Sequence, residues 1–148
     1  MTGWTLSWAK VLIHFEEGQQ DSSTKTVSSS VIPAHGFYLL ERTDDDTVSN
    51  IDADLIYTGA LSNKGASLVL RDDRDVIVDT ANNDGGAWPA GTAGKGEVPY
   101  ASMERINPEA GDTLDNWASN DGQTREGLDA KGDPLNGTPQ AQNSVFGS

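Results

Sequence analysis

Five aspartates are crowded into one short stretch of this chain and form its densest set of possible metal ligands. They are Asp44, Asp45, Asp46, Asp52 and Asp54. Calcium in proteins takes roughly six to eight oxygen ligands at a flexible site, a requirement that such a stretch could meet. Their spacing does not follow the Asp-x-Asp-x-Asp-Gly pattern of an EF-hand loop. The stretch therefore predicts either a calcium site or an acidic loop that stays solvated.

Residue types that carry catalysis are sparse. The two histidines, His14 and His35, lie in an apolar run and in a Pro-Ala-His-Gly corner, where an ordinary structural role is expected. The absence of cysteine excludes disulfides, thiolate metal sites and a thiol nucleophile. No Gly-x-Ser-x-Gly elbow occurs, and the glycine-rich tracts at 84–86 and 91–96 lack phosphate-loop spacing, so we interpret them as turns. These features predict a non-enzymatic protein without a cofactor, calcium excepted.

The four tryptophans offer aromatic surface that could stack on a sugar ring. Trp4 and Trp8 share one face of a strand, which favours a core position. Trp88, inside a loop rich in glycine, asparagine and proline, is the candidate for a glycan-binding surface.

Glu104 and Arg105 are neighbours on a predicted strand, so their side chains point to opposite faces. This placement does not suit a shared catalytic role. We expect Arg105 to bind a loop carboxylate and not a substrate.

The charge of the chain limits its partners. Its 23 acidic and 10 basic residues give a formal net charge of −13. Such a surface repels phosphate backbones and anionic lipid, which argues against nucleic-acid or membrane binding by bulk charge. No apolar run approaches the length of about 18 residues that a transmembrane helix needs. The start, Met1-Thr2-Gly3-Trp4, lacks the features of a signal peptide, so we expect either a cytosolic protein or a mature or truncated sequence.

Short apolar alternations separated by turn residues predict an all-β protein. Trp4 to Trp8 alternate as a core-facing strand, and 37–40 is interpreted as a strand buried on both sides. Leu68 to Leu70 and Val76 to Val78, joined by a charged turn, predict a hairpin. Residues 1–106 are predicted to form the sandwich, with 107–148 as a loop-rich segment that packs on it.

Several of these blocks occur in an order that resembles the lamin tail domain, an immunoglobulin-like module. The blocks are Gly3-Trp4-Thr5-Leu6, Pro33-Ala34-His35-Gly36 before an aliphatic stretch, Leu61-Ser62-Asn63-Lys64-Gly65, Ser102-Met103-Glu104-Arg105, Asn116-Trp117 and Gly137-Thr138-Pro139. The similarity covers nearly the whole chain and is greatest to bacterial secreted and surface members. It implies an immunoglobulin-like antiparallel β-sandwich at the cell surface or outside the cell.

The chain departs from this family at one point, because members normally have a further strand before the Gly-Trp block. The sequence therefore predicts an unpaired edge, which an upstream segment, the C-terminal tail or a donated strand could fill. A donated strand would make the chain a structural, adhesive or assembly module whose partner is protein, including copies of itself in a filament. The alternatives are an accessory calcium- or glycan-binding domain of a secreted hydrolase and, third, a hydrolase in its own right.

Overall fold

The chain is all-β in a computed structural model, which describes residues 1–17, 19–20, 27–28 and 30–148. The one helical segment among these residues is a 3-10 turn, Leu114–Asn116. The strands are β1 (Trp4–Trp8), β2 (Val11–Phe15), β3 (Gln19–Gln20), β4 (Val27–Ser28), β5 (Leu40–Arg42), β6 (Leu55–Tyr57), β7 (Leu68–Arg71), β8 (Ile77–Ala81), β9 (Met103–Arg105) and β10 (Trp117–Ser119). The predicted class is confirmed, while the strand order of an immunoglobulin-like sandwich stays a prediction.

The largest sheet has four antiparallel strands in the order β2-β1-β7-β8. Leu6 lies opposite Ile13 on one side and opposite Leu70 on the other. Strand β1 therefore has a neighbour from its own chain on each side, in contrast to the open edge expected beside the Gly-Trp block. A tight turn makes this possible, since Ala9 at its first central position has a φ of 46° and returns β2 alongside β1. The edges of this sheet are β2 and β8.

One face of the four-stranded sheet carries the core. Trp8, Ile13, Phe15 and Leu55 form its buried cluster. Further residues pack against this cluster, namely Met1, Trp4, Leu6, Val11, Tyr38, Leu40, Tyr57, Ala66, Leu68 and Leu70. The rings of Trp8 and Tyr57 meet edge to face at 5.4 Å between centroids, a favoured aromatic geometry. Strands β5 and β6 thus cover the sheet as a second layer.

The second layer differs from the sequence-based prediction in two ways. Strands β5 and β6 pair in parallel, whereas an antiparallel pairing was expected. The strand also begins only at Leu40, and Phe37 is 48% exposed, so the prediction of a strand buried from Phe37 onward is wrong. Just before Leu40, a side chain and not a neighbouring strand binds the backbone N–H, because Asp54 Oδ2 accepts the N–H of Leu39 at 2.7 Å.

The segment 107–148 is loop-rich and hydrogen-bonds to earlier parts of the chain. The backbone N–H of Ser49 donates to the carbonyl of Leu128 at 2.8 Å, and that of Gly147 donates to Ile106 at 3.1 Å. Strand β10, within this segment, pairs with β9 as an antiparallel two-stranded sheet. The predicted hairpin of β7 and β8 is confirmed, with a register shift at Leu70/Arg71.

Candidate binding surface

The aspartates of the predicted calcium loop hold the backbone of that region in place. Asp45 Oδ1 accepts the N–H of Ala53 at 2.8 Å. Asp54 Oδ2 accepts the side-chain amide of Gln140 at 3.0 Å, in addition to the N–H of Leu39. In the described residues, no three His, Asp or Glu side chains are arranged to hold one metal ion. Calcium binding by Asp44, Asp45, Asp46, Asp52 and Asp54 stays a prediction without geometric support.

Glu41 is a buried carboxylate that holds the same loop. Its side chain is 3% exposed, and its two oxygens accept the backbone N–H groups of Thr47 at 3.1 Å and Val48 at 3.0 Å. Burial raises the pKa of Glu41, and these two hydrogen bonds offset that effect only in part. A buried carboxylate with a raised pKa can mark a functional site, but this one is occupied with closing a loop.

Glu104 is the centre of the most extensive polar network in the described structure. It is 3% exposed. Its Oε1 accepts hydrogen bonds from Ser102 Oγ at 3.1 Å, Asn120 Nδ2 at 2.8 Å and Thr138 Oγ1 at 3.0 Å. Its Oε2 accepts two more from Ser144, from the backbone N–H at 2.8 Å and from the hydroxyl at 2.6 Å. One carboxylate thereby joins β9 to three separate places in the C-terminal segment.

The hydrogen bonds and the lowered pKa of Glu104 fit a structural carboxylate and not a proton-transfer group. Burial by itself would raise the pKa of Glu104, but the hydrogen bonds from Ser144, Asn120, Thr138 and Ser102 together lower it. A general base must reach the proton it abstracts. The oxygens of Glu104 are already taken by internal donors, so we assign it a structural role. Sequence reasoning missed this network because its donors are distant in the chain.

Arg105 points to the opposite side of β9 from Glu104, as predicted, and binds a carboxylate. Its Nη1 lies 2.6 Å from Asp79 Oδ2, its Nη2 donates to the carbonyl of Thr80, and its guanidinium lies 4.7 Å from the ring centroid of Trp117. The partner Asp79 belongs to strand β8 and not to a loop. Arg105 therefore ties the edge of the large sheet to the β9-β10 sheet.

A second carboxylate, Asp112, supports the same junction. It accepts hydrogen bonds from Trp117 Nε1 at 2.8 Å, from Thr80 Oγ1 at 2.8 Å, and from the backbone N–H groups of Asn83 at 2.8 Å and Asn82 at 3.2 Å. Burial opposes the charge, yet these bonds lower the pKa of Asp112 overall. The backbone just past β8 is thus occupied by Asp112, and the carbonyl of Thr80 within β8 is occupied by Arg105.

The indole N–H groups of three tryptophans are committed internally. Trp8 donates to the carbonyl of Ala60 at 2.9 Å, and Trp117 donates to Asp112. Trp88, the predicted sugar-stacking candidate, is half-buried and donates to the carbonyl of Ser62 at 2.9 Å. A glycan surface at Trp88 stays a prediction, and the indole N–H joins its loop to the turn that contains Ser62.

The two histidines lie apart from these networks. His14 is exposed on β2, and His35 is exposed in the Pro33–Gly36 turn with a φ of 57°. The turn is closed by the N–H of Gly36, which donates to the carbonyl of Pro33 at 2.8 Å. Neither histidine belongs to a metal-ligand group within the described part of the chain.

A groove of about 500 Å³ lies beside β9. It is lined by Val48, Thr92, Tyr100, Ala101, Ser102, Met103, Glu104, Leu135, Asn136, Gly137, Thr138, Pro139 and Asn143. Many of its polar groups are already paired internally. Ser102 and Thr138 donate to Glu104, and the side-chain amide of Asn136 donates to the carbonyl of Tyr100 at 2.8 Å. The groove therefore offers few polar contacts to a ligand.

The edge of the large sheet at β8 exposes an apolar run. Val76, Ile77 and Val78 are 54%, 51% and 48% exposed. By contrast, the opposite edge strand β2 buries Ile13 and Phe15 to 6% and 3%. Three consecutive half-exposed branched aliphatic residues at a strand edge are unusual on an otherwise acidic surface, since edges are normally blunted by charge or covered. We call Val76–Val78 the β8 edge; Val76 comes just before the strand, and its backbone N–H and carbonyl pair with Asp72.

No family model, no curated protein and no solved structure matches this chain. The resemblance to the lamin tail domain consequently stays a prediction from the sequence blocks. Among the described residues, no helix has the length and apolar character required to cross a membrane. The surfaces and interior contacts of the chain itself are the basis for a functional assignment.

Proposed function

We propose that this chain is a non-catalytic protein-binding module that takes up an extended segment of another chain along the β8 edge. The exposure of Val76, Ile77 and Val78 at the rim of a four-stranded sheet carries the proposal. An edge strand presents backbone groups to a further strand, and half-exposed aliphatic side chains supply apolar area for it to cover.

The contacts of two carboxylates, the buried Glu104 and the half-buried Asp112, support a role without catalysis. Glu104 and Asp112 spend their oxygens on internal donors, and the lowered pKa of each keeps it ionised at neutral pH. Such groups stabilise a fold but do not exchange protons near neutrality. A structural or adhesive module at the cell surface, of the kind that the lamin tail resemblance implies, fits this distribution of chemistry.

Panning a random peptide library against the immobilised chain tests the proposal. Selected peptides should bind Ile77→Lys about tenfold more weakly than wild type, because a lysine there breaks the apolar run. Leu12→Lys is the matched control, since Leu12 is also exposed, at 57%, on the other edge strand. It should leave binding unchanged. Hydrogen exchange should show new protection of amides at Ile77 and Val78 when peptide is bound.

Two results would contradict the proposal. One is a failure to select any peptide from the library. The other is selection of peptides that bind Ile77→Lys and Leu12→Lys equally well. Thermal melting of both variants checks that each is folded, which is expected because both positions are more than half exposed.

A further inference from the structure

The charge around the β8 edge defines the chemistry of the segment that it binds. Residues 71–84 hold five aspartates and two arginines. The whole chain carries −13. An acidic rim around an apolar strip attracts a cationic partner and repels an anionic one.

Three of the nearby acids form ion pairs within the chain itself. Asp72 pairs with Arg74 at 2.8 Å, and Asp79 pairs with Arg105 at 2.6 Å while remaining half-exposed. Asp75 forms the longest pair, with Arg71 at 3.7 Å, and its side chain is 88% exposed. Asp73 is exposed and forms no ion pair among the described residues. Asp73 is therefore open to a cation at the tip of the hairpin, and the exposed carboxylate of Asp75 lies beside it.

A second copy of this chain is a poor occupant for the same reason. Two molecules of −13 each repel one another until salt screens the charge. This reasoning separates the inference from the predicted filament of identical copies.

We infer that the β8 edge takes an extended basic segment in which lysine or arginine alternates with aliphatic residues. The inference rests on the proposed strand-binding function and adds the identity of the partner's charges. Aliphatic side chains would cover Val76–Val78, and cationic side chains would reach Asp75 and Asp73. Ion pairs between exposed groups are individually weak, so these contacts would help to select the partner while the apolar run supplies contact area.

Synthetic peptides labelled with a fluorophore test this directly by anisotropy. The probes are short peptides alternating lysine with valine, glutamate with valine, and lysine with serine. The lysine-valine peptide should bind about tenfold tighter than either of the others. Its affinity should fall as salt is raised, since exposed charges are screened beyond a Debye length of about 8 Å at physiological ionic strength.

Variants locate the binding on the chain. Ile77→Lys should weaken lysine-valine binding about tenfold, while Leu12→Lys should not. Asp75→Asn and Asp73→Asn should each weaken it by about two- to fivefold and reduce its salt dependence, as expected for loss of one exposed pair. Sedimentation velocity of the wild-type chain over a range of concentrations should show no self-association.

The outcomes distinguish this inference from the proposed function. Equal binding of the glutamate-valine peptide, lost in Ile77→Lys, would overturn the charge inference and leave the strand-binding function standing. Self-association that grows with salt and disappears in Ile77→Lys would make a second copy the partner and also overturn it. If lysine-serine binds as well as lysine-valine, or Ile77→Lys has no effect, binding reflects bulk charge and both proposals fail.

Discussion

Replacing Glu104 by glutamine should destabilise the protein strongly at neutral pH. The lowered pKa of Glu104 means that its hydrogen bonds favour the carboxylate by more than burial opposes it. A neutral isostere therefore loses stabilisation, and its amide group would face the backbone N–H of Ser144, which now donates at 2.8 Å. One buried donor left without an acceptor costs about 1–3 kcal/mol, and weakening the remaining charge-assisted bonds adds to this. We expect a loss of about 3 kcal/mol in the free energy of unfolding.

Glu41→Gln is the matched control, since Glu41 is equally buried at 3% exposure but accepts only two hydrogen bonds, both from backbone. Its pKa is raised chiefly by burial, so removing the charge relieves part of the desolvation cost. We expect glutamine there to cost about 1 kcal/mol. Urea denaturation, followed by tryptophan fluorescence, gives both free energies from the midpoint and slope.

The pH dependence of the two variants has opposite sign. A folded pKa below the ordinary 4.5 means that Glu104 contributes stability above that value and loses it as pH falls through the folded pKa. The difference between wild type and Glu104→Gln should therefore shrink below about pH 4.5. For Glu41, whose folded pKa is raised above 4.5, protonation on acidification should stabilise wild type relative to its variant. The structural role of Glu104 would be refuted if Glu104→Gln lowered the free energy of unfolding no more than Glu41→Gln does, or if its effect did not change with pH.

Three further substitutions test other contacts by the same unfolding assay. Gly65→Ala should lower the free energy of unfolding by about 3 kcal/mol, because an added Cβ would clash with the carbonyl oxygen of Gly86 at a φ of +122°. Gly111→Ala is the control, since a Cβ there meets open space, and it should cost about 1 kcal/mol or less; equal losses would contradict the clash. Asp112→Asn should lower the free energy of unfolding by about 2 kcal/mol at neutral pH, and this loss should shrink as pH falls below 3.8, the ordinary pKa of an aspartate. A variant as stable as wild type would count against the role of Asp112 at the junction. His35→Gly should stabilise by up to about 1 kcal/mol, since a non-glycine residue at a φ of 57° is strained; a clear loss would show that the imidazole makes a needed contact.

Local patterns were sufficient for the strands that pair with near neighbours. The alternation of Trp4, Leu6 and Trp8 predicted a core-facing strand, and the structure packs all three against the core. The charged turn after Leu70 predicted the β7-β8 hairpin. Both features are readable because side-chain period and turn chemistry are encoded within a few residues.

One motif became interpretable only with its distant neighbour. The Leu61–Gly65 turn is closed by the N–H of Gly65, which donates to the carbonyl of Ser62 at 3.3 Å. The same carbonyl accepts the indole of Trp88, and Gly86 approaches so closely that only glycine fits at position 65. The sequence showed a turn, while the reason for its glycine lies across the fold.

The buried carboxylates could not be predicted, because nothing local distinguishes them from solvated ones. Three of the four side-chain donors to Glu104 come from Asn120, Thr138 and Ser144, which are 16, 34 and 40 residues away. A glutamate between Met103 and Arg105 reads from the sequence as an ordinary exposed strand residue. Its burial depends on how the C-terminal segment folds back, which is tertiary information. The parallel pairing of β5 and β6 was missed for the same reason.

The β8 edge combines two features that an isolated protein would not need together. Val76–Val78 contributes little to the core, since each residue is about half exposed. Apolar residues at an edge invite pairing with other chains, and charges beside them limit which chains can pair. Asp75 precedes the run and Asp79 follows it. Asp79 is paired with Arg105, whereas the 88% exposed side chain of Asp75 favours a basic partner over a second acidic copy. Solubility alone would be served better by polar residues at these three positions. Exposed aliphatic residues next to acidic ones therefore favour selective binding over mere avoidance of aggregation.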